Sequence, residues 1–318
     1  MNNSEYRVIF MGTPAFAVAS LQALLQANFN VVAVVTAPDK PAGRGMQLRA
    51  SAVKEFAVAN HIPVLQPEKL KSEAFIAQLA SYQAHLQVVV AFRMLPEIVW
   101  NMPPLGTVNV HGSLLPKYRG AAPINWAIIN GETETGVTIF KLQHAIDTGD
   151  ILGSASMPIT PQETAGTLHD KMMQLGAHTL VEVLEKWLQN KITPQPQPAG
   201  EPILAPKIFT ETCTIPWNQP VQQVYNLIRG LAPYPGAFTY TQQKVFKILA
   251  CSLLAEQHAY EPGTVIQNVE QATIQIACAN GWILCEEVQL EGKKRMLIAD
   301  FCRGNKLPQP LIASYANK

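Results

Sequence analysis

Between its first residue and about residue 190, the chain alternates short unbroken apolar runs with amphipathic stretches, and this alternation limits the possible folds most. Tyr6–Met11 ("YRVIFM"), Asn30–Thr36 ("NVVAVVT"), Leu86–Phe92 ("LQVVVAF") and Gly106–His111 ("GTVNVH") are too short for ordinary helices and rich in β-branched residues. A strand whose side chains are apolar on both sides must be covered on both faces, which points to a parallel sheet flanked by helices. The intervening segments supply that cover. Thr13 and Pro14 predict a helix opening as cap and first helical residue and running through Leu25, and further helices are predicted over Ser51–Asn60 and Glu73–Ser81. Pro63–Leu65 reads as a short strand, Glu134–Lys141 and Ile151–Met157 as two more, and Thr164–Gln189 as a long amphipathic helix.

The pattern then breaks. "NKITPQPQPAGEPILAPK" carries five Pro and no periodicity, so residues 191–207 are predicted to be a connector between a domain over 1–190 and one over 208–318. The second domain has one helix, Val221–Leu231, and evenly spaced short strands at Ala237–Tyr240, Val245–Leu249, Thr264–Ile266, Thr273–Ala277, Trp282–Val288 and Arg295–Ile298. Such spacing predicts a small closed barrel. A length of 318 residues suits two cores rather than one, and 48 % hydrophobic against 15 % charged residues argues for globular folding throughout. No apolar run approaches the roughly 18 residues that span a bilayer, and "MNNSEYRVIFMGTPAF" lacks the pattern of a secretory leader. A cytoplasmic protein without a membrane partner is expected. The five Cys (Cys213, Cys251, Cys278, Cys285, Cys302) agree: the count is odd, no CxxC occurs, and free thiols without a metal site are expected. Net charge is +1, with 15 basic and 15 acidic residues over 1–207 and 9 against 8 beyond. Any nucleic-acid affinity therefore has to come from local clusters.

The most chemically loaded stretch is "VNVHGSLLPKYRG", Val108–Gly120. Residues two apart on a strand face the same side, so Asn109 and His111 share one space at the carboxyl end of their strand, where open parallel sheets place ligands. An amide NH2 there donates to a developing oxyanion, and an imidazole donates or accepts according to its protonation. Both side chains are also of the kind that merely satisfy loop backbone. The "DTGD" turn, Asp147–Asp150, leaves the same two roles open, since a carboxylate brought to His111 would orient the ring and favour its charged form. No Ser or Cys is placed to form a covalent intermediate, so direct attack by an acceptor on a donor carbonyl is the simpler scheme.

With "NVHGSLLPKYRGAAPINWAI", "ETGVTI", "DTGDIL" and "PDKPAGRG" present in order, the chain resembles the folate-dependent formyltransferases. "APKI", "IPW" and "IRGLAPYPGAF" extend the resemblance into the second domain, as in those members that act on charged initiator Met-tRNA. The resemblance implies a Rossmann-like N-terminal domain, an OB-like barrel that helps hold the tRNA acceptor arm, and a monomer. It implies 10-formyltetrahydrofolate as co-substrate, with Asn109, His111 and Asp147 as the catalytic trio. It further implies that Phe92, Ser113, Leu114, Leu115 and Pro116 form the folate pocket, the apolar loop and its backbone amides receiving the pterin.

Two basic stretches are candidates for tRNA. "PDKPAGRGMQLR" carries Lys40, Arg44 and Arg49 against Asp39, and the family resemblance implies that this loop enters the acceptor stem. "GKKR" offers Lys293, Lys294 and Arg295, either along the tRNA backbone or as solvated charges of a tight hairpin. Trp217, Tyr225, Tyr234 and Phe238 could stack on bases, but core packing is the stronger expectation. Phe92–Arg93 and His144–Ala145 depart from the family's usual residues. Arg93 is open to contacting folate or bracing the sheet end, and His144 would add a ring near Asp147. A formyltransferase acting on a small amine, a nucleotide or an amino sugar, shares the trio. The second domain and the "PAGRG" loop favour tRNA over it. A dinucleotide oxidoreductase is disfavoured, because "MGTPAFA" lacks G-x-G-x-x-G.

Overall fold

The computed structural model describes residues 2–42, 47–241, 244–305 and 311–312. They form two compact units. One comprises Met1–Gly120, Thr135–Met157 and His169–Leu204; the other comprises Ala121–Glu134, Pro158–Leu168 and Ala205–Lys318.

The first unit is built on a seven-stranded, mostly parallel sheet. Its order is Ile151–Pro158, Glu134–Lys141, Thr107–His111, Leu86–Val90, Arg7–Gly12, Asn30–Val35, Val64–Leu65. Arg7–Gly12 pairs in parallel with strands on both sides, Phe10 facing Val34 and Val88. Val8, Ile9, Phe10 and Met11 are completely buried, as a strand covered on both faces requires. The parallel run ends at Thr107–His111: Glu134–Lys141 runs antiparallel to it, setting Asn109 opposite Phe140 and His111 opposite Thr138.

Helix Ala15–Gln26 lays Phe16, Ala17, Ser20, Leu21 and Leu24 against the core. It starts one residue later than Thr13 and Pro14 suggest, because Pro14 itself is the extended cap residue. Gly12 permits the close turn between strand and helix, since a Cβ there would lie 2.6 Å from that of Ala17. The helix expected over Ser51–Asn60 is Ala52–Ala59, capped by Ser51, whose hydroxyl accepts from the Lys54 amide. Helices Glu97–Trp100 and Pro123–Ile129 were not anticipated, being too short to show a period.

The second unit is an antiparallel half-barrel. Its strand path runs Ala237–Thr241, Lys244–Leu254, Trp282–Leu290, Thr273–Ala277, Thr264–Asn268, Leu311–Ile312. Among the described residues the path does not return to its first strand, so the closed barrel expected from the spacing is an open one. Lys244–Leu254 exceeds its expected length because register shifts around Ala250 break the alternation that marks a strand. Directly past the "GKKR" turn the strand is short, Met296–Leu297 alone pairing with Trp282–Leu290, and Ile298–Gly304 is a helix rather than the end of a strand. Helix Val221–Leu231 fills the half-barrel with Val224, Leu227, Ile228 and Leu231, packed among Trp217, Phe238, Phe246 and Phe301. All five cysteines are free thiols. Burial pushes the Cys278 thiol up to about 12 and raises that of Cys285 further. Among the described residues no helix is long and apolar enough to cross a membrane, and no cluster of His, Cys, Asp and Glu could hold a metal ion.

Candidate active site

The strand Thr107–His111 ends beside three backbone segments, and together they fix the groups around His111. His111 is buried, and its Nε2 lies 2.9 Å from the carbonyl oxygen of Tyr118. A carbonyl only accepts, so Nε2 carries the proton of that bond and Nδ1 is left to face outward. Opposite Nδ1, at 3.7 Å, stands Oδ2 of Asp147, too far for a direct hydrogen bond but within ion-pair distance of a charged ring. That same oxygen accepts the Gly120 amide at 2.8 Å, which aims the carboxylate.

Asp147 sits in the left-handed region with φ 53°, a conformation Asp tolerates better than most residues. The turn it belongs to cannot accept a side chain at Gly149, where a Cβ would come within 1.7 Å of the Lys141 carbonyl oxygen. Asn109 is half-buried on the same strand and, among the described residues, its amide makes no hydrogen bond. The three side chains therefore differ in state: His111 and Asp147 are held, and Asn109 is uncommitted.

The loop after His111 is pinned by Thr138. Its hydroxyl donates to the Ser113 carbonyl at 2.7 Å and accepts from the Leu115 amide at 3.1 Å. Ser113 is fully buried and its hydroxyl donates to the Lys117 carbonyl at 2.6 Å. The Ser113 hydroxyl and the Leu115 amide thus serve the loop itself, leaving the half-buried Leu114 and Pro116 as its accessible apolar surface. Phe92 is half-buried under the Arg93 guanidinium, 5.6 Å from the ring centre. Arg93 donates to the carbonyls of Glu68 and Pro67, so it braces the loop past the sheet end.

Residues 6–184 match the formyl transferase family, and residues 207–306 match the formyl transferase C-terminal domain. The chain belongs to the formyl transferase family. It is 47 % identical to the methionyl-tRNA formyltransferase of Bacteroides fragilis over 97 % of this chain and 98 % of that one. It is 50 % identical to the methionyl-tRNA formyltransferase of Phocaeicola vulgatus over 96 % and 97 %. Among solved structures, the fold is similar to that of WlaRD, a sugar 3N-formyl transferase (TM-score 0.65, 20 % identity), over 91 % of this chain and 99 % of that one. It is similar also to Aquifex aeolicus HypX in complex with tetrahydrofolic acid (TM-score 0.64, 18 % identity), over 93 % of this chain and 46 % of that one. This formyl transferase is thus an enzyme of formyl transfer.

The basic stretches of this formyl transferase are built differently. Lys40 and Arg49 are exposed and face each other across a small hairpin, Lys40–Ala42 with Gln47–Arg49. Arg44 lies outside the described residues. Asp39, the one acidic residue of that stretch, is taken by Lys54 and Gln66, and the Lys54 hydrogen bond holds its carboxyl below the usual range. Lys293 and Lys294 are exposed, whereas Arg295 makes a two-pronged ion pair with Glu287 at 2.7 and 2.8 Å. Trp217 and Phe238 are core residues as expected, the Trp217 indole N–H donating to Thr239. Tyr225 is half-buried and its hydroxyl donates to the Pro161 carbonyl. Tyr234 departs from expectation, with 83 % of its surface exposed.

The residues that sequence reasoning missed are those holding His111, Asp147 and the loop after the strand: Tyr118, Gly120, Thr138 and Gln197. Gln197 lies in the Pro-rich connector yet donates to the Asp147 and Gly149 carbonyls at 2.7 and 3.0 Å. Nothing in a stretch without periodicity marks one of its two Gln (Gln195, Gln197) as a structural tie.

Proposed function

We propose that this enzyme transfers the formyl group of 10-formyltetrahydrofolate to the α-amine of methionyl-initiator-tRNA. The observation that carries this reading is 47–50 % identity to methionyl-tRNA formyltransferases over nearly the whole chain. The site suits such a donor: the strand that carries the uncommitted, half-buried Asn109 amide runs into the loop presenting Leu114 and Pro116, and Phe92 follows the neighbouring strand. Bound there, 10-formyltetrahydrofolate would supply the electrophilic formyl carbon: as its bond to the α-amine forms, its bond to N10 breaks, and tetrahydrofolate leaves with N10 carrying the proton that the attacking nitrogen gives up.

The chain's own residues handle charge and one proton. Asn109 donates its free amide N–H to the negative charge growing on the formyl oxygen. His111 donates from Nδ1, because Nε2–H is committed to the Tyr118 carbonyl. Asp147 stabilises the positive charge on that ring and, directly or through water, takes the proton lost by the attacking nitrogen. With the Ser113 hydroxyl turned onto Lys117, transfer is direct and passes through no covalent enzyme intermediate. Leu115 contributes to the pocket by shape, its amide being used by Thr138.

On this reading residues 1–190 carry catalysis, 191–207 connect, and 208–318 help hold the acceptor arm, in a monomeric cytoplasmic enzyme. Lys40, Arg44 and Arg49 meet phosphates, supported by the neutralisation of Asp39. Lys293 and Lys294 add to the path, with Arg295 a lesser partner because Glu287 occupies its fork.

The test is transfer of labelled formyl from 10-formyltetrahydrofolate to charged initiator Met-tRNA, run beside elongator Met-tRNA and glycinamide ribonucleotide. Transfer to initiator Met-tRNA alone supports the reading. Transfer only to the small amine would retain the catalytic assignment and overturn the roles given to the hairpin and the half-barrel.

A further inference from the structure

The Gln197 side chain ties together two backbone segments of the catalytic unit that are far apart in sequence. Its Nε2 donates to the carbonyl oxygens of Asp147 and Gly149, at 2.7 and 3.0 Å. Its Oε1 accepts from Nε of Arg119 at 3.2 Å and from Nη2 of the same guanidinium. The amide's orientation is not arbitrary: carbonyls cannot donate and a guanidinium cannot accept, so only this flip satisfies all four bonds.

Both tied segments determine where the Asp147 carboxylate points. The Asp147 carbonyl is anchored by Gln197, fixing the backbone of a residue in the left-handed region. Arg119 precedes Gly120, whose amide is the donor that aims Asp147 Oδ2 at 2.8 Å. One side chain therefore holds the carboxylate's own backbone and the neighbour of the group that orients it. Its place in the chain is held too, since Gln195, two residues earlier, exchanges both backbone hydrogen bonds with Ile151.

We propose that Gln197 is a positioning residue for formyl transfer: it fixes the Asp147 turn and the Arg119–Gly120 segment in one geometry, keeping the carboxylate opposite His111 Nδ1. The inference rests on the role given to Asp147 above. A misplacement of about 1 Å in such a site is enough to cost about a hundredfold in rate. Gln197 touches no reacting atom, so its loss acts on turnover rather than on binding of either substrate.

The experiment compares Asp147→Asn, Gln197→Ala and Gln197→Glu in the full-length enzyme, by steady-state kinetics, thermal melting and the NMR shifts of the His111 ring. Gln197→Glu keeps an acceptor for Arg119 but cannot donate to the two carbonyls, and it carries the test if Gln197→Ala does not fold. The expected result is a fall in kcat of about ten- to a hundredfold for either Gln197 variant, with KM for both substrates within about threefold. The His111 ring shifts should move toward those of Asp147→Asn. If Asp147→Asn retains full turnover, the role of Asp147 itself is wrong. If Asp147→Asn is inactive while a folded Gln197→Glu turns over like the wild type with unmoved His111 shifts, the positioning role of Gln197 is overturned and that of Asp147 stands.

Discussion

The strand end around His111 and the basic hairpin around Lys40 are both candidate contact regions, and they are held in opposite ways. At the strand end both His111 and Asp147 are fixed by backbone partners, with 7 % and 16 % of their side-chain surfaces exposed. In the hairpin, Lys40 and Arg49 project into solvent, and its single carboxylate is paired off by Lys54. A buried, oriented group does chemistry through geometry, where an error of an ångström matters. An exposed cation acts through charge, which tolerates displacement and is weakened by salt. Substitutions in the two regions should therefore fail in different kinetic constants.

The largest effect belongs to His111→Ala. Losing one oxyanion donor in a pre-organised site costs about 3–4 kcal/mol, so kcat should fall by several hundredfold or more while folate affinity, measured by equilibrium titration, stays close to that of the wild type. A loss of tenfold or less would mean that His111 is a structural partner of Tyr118 alone. A comparable contrast concerns the thiols of the half-barrel, which burial takes out of chemistry altogether. With the Cys278 thiol pushed up to about 12, its thiolate fraction at pH 8 is about a thousandfold below that of a free cysteine. Because the shift is upward, reactivity should appear only as pH climbs toward 12 or once the protein unfolds. Native protein treated with Ellman's reagent at pH 8 should leave Cys278 and Cys285 unmodified, and rapid labelling of either by peptide mapping would contradict the burial.

The hairpin should give a smaller effect of another kind. Lys40→Ala combined with Arg49→Ala should raise KM for charged tRNA about tenfold and flatten its dependence on log salt by about one unit per residue, with kcat at saturation unchanged. A fall in kcat without a change in salt slope would place these residues with the chemistry instead of the phosphates.

How far each region could be read in advance follows from the same contrast. Asn109 and His111 were legible because strand geometry makes residues two apart share a face, and a parallel sheet puts ligands at that end. The apolar runs that became the seven-stranded sheet were legible for a related reason, since burial on both faces leaves no other composition. Whether the barrel closes was not legible, because strand spacing says nothing about whether the last strand returns to the first, and the register shifts around Ala250 disguise the longest strand. The Tyr118, Thr138 and Gln197 contacts were invisible. Each joins a side chain to a backbone group at a distance set by the tertiary fold, and the hydrogen-bonding capacity of a single Gln carries no address. Charge was legible as composition, but the pairing of Arg295 was not, because its partner Glu287 lies on the other side of the turn.

Arg295 therefore supplies the finest test of the contrast between held and free groups. Its guanidinium is exposed, which suggests tRNA, yet its planar fork already meets both oxygens of Glu287. A phosphate would have to compete with that carboxylate, while among the described residues no carboxylate pairs with the ammonium groups of Lys293 and Lys294. Lys294→Ala should accordingly weaken tRNA binding and flatten the salt slope more than Arg295→Ala, although both remove one positive charge. Glu287→Ala decides the matter by its sign. Freeing Arg295 should tighten tRNA binding by about two- to threefold if the phosphate path passes this turn, and filter binding across a salt series can resolve a change of that size. Unchanged binding in both Glu287→Ala and Lys294→Ala would take the turn out of the tRNA path and leave the hairpin around Lys40 as the basic region that charge alone explains.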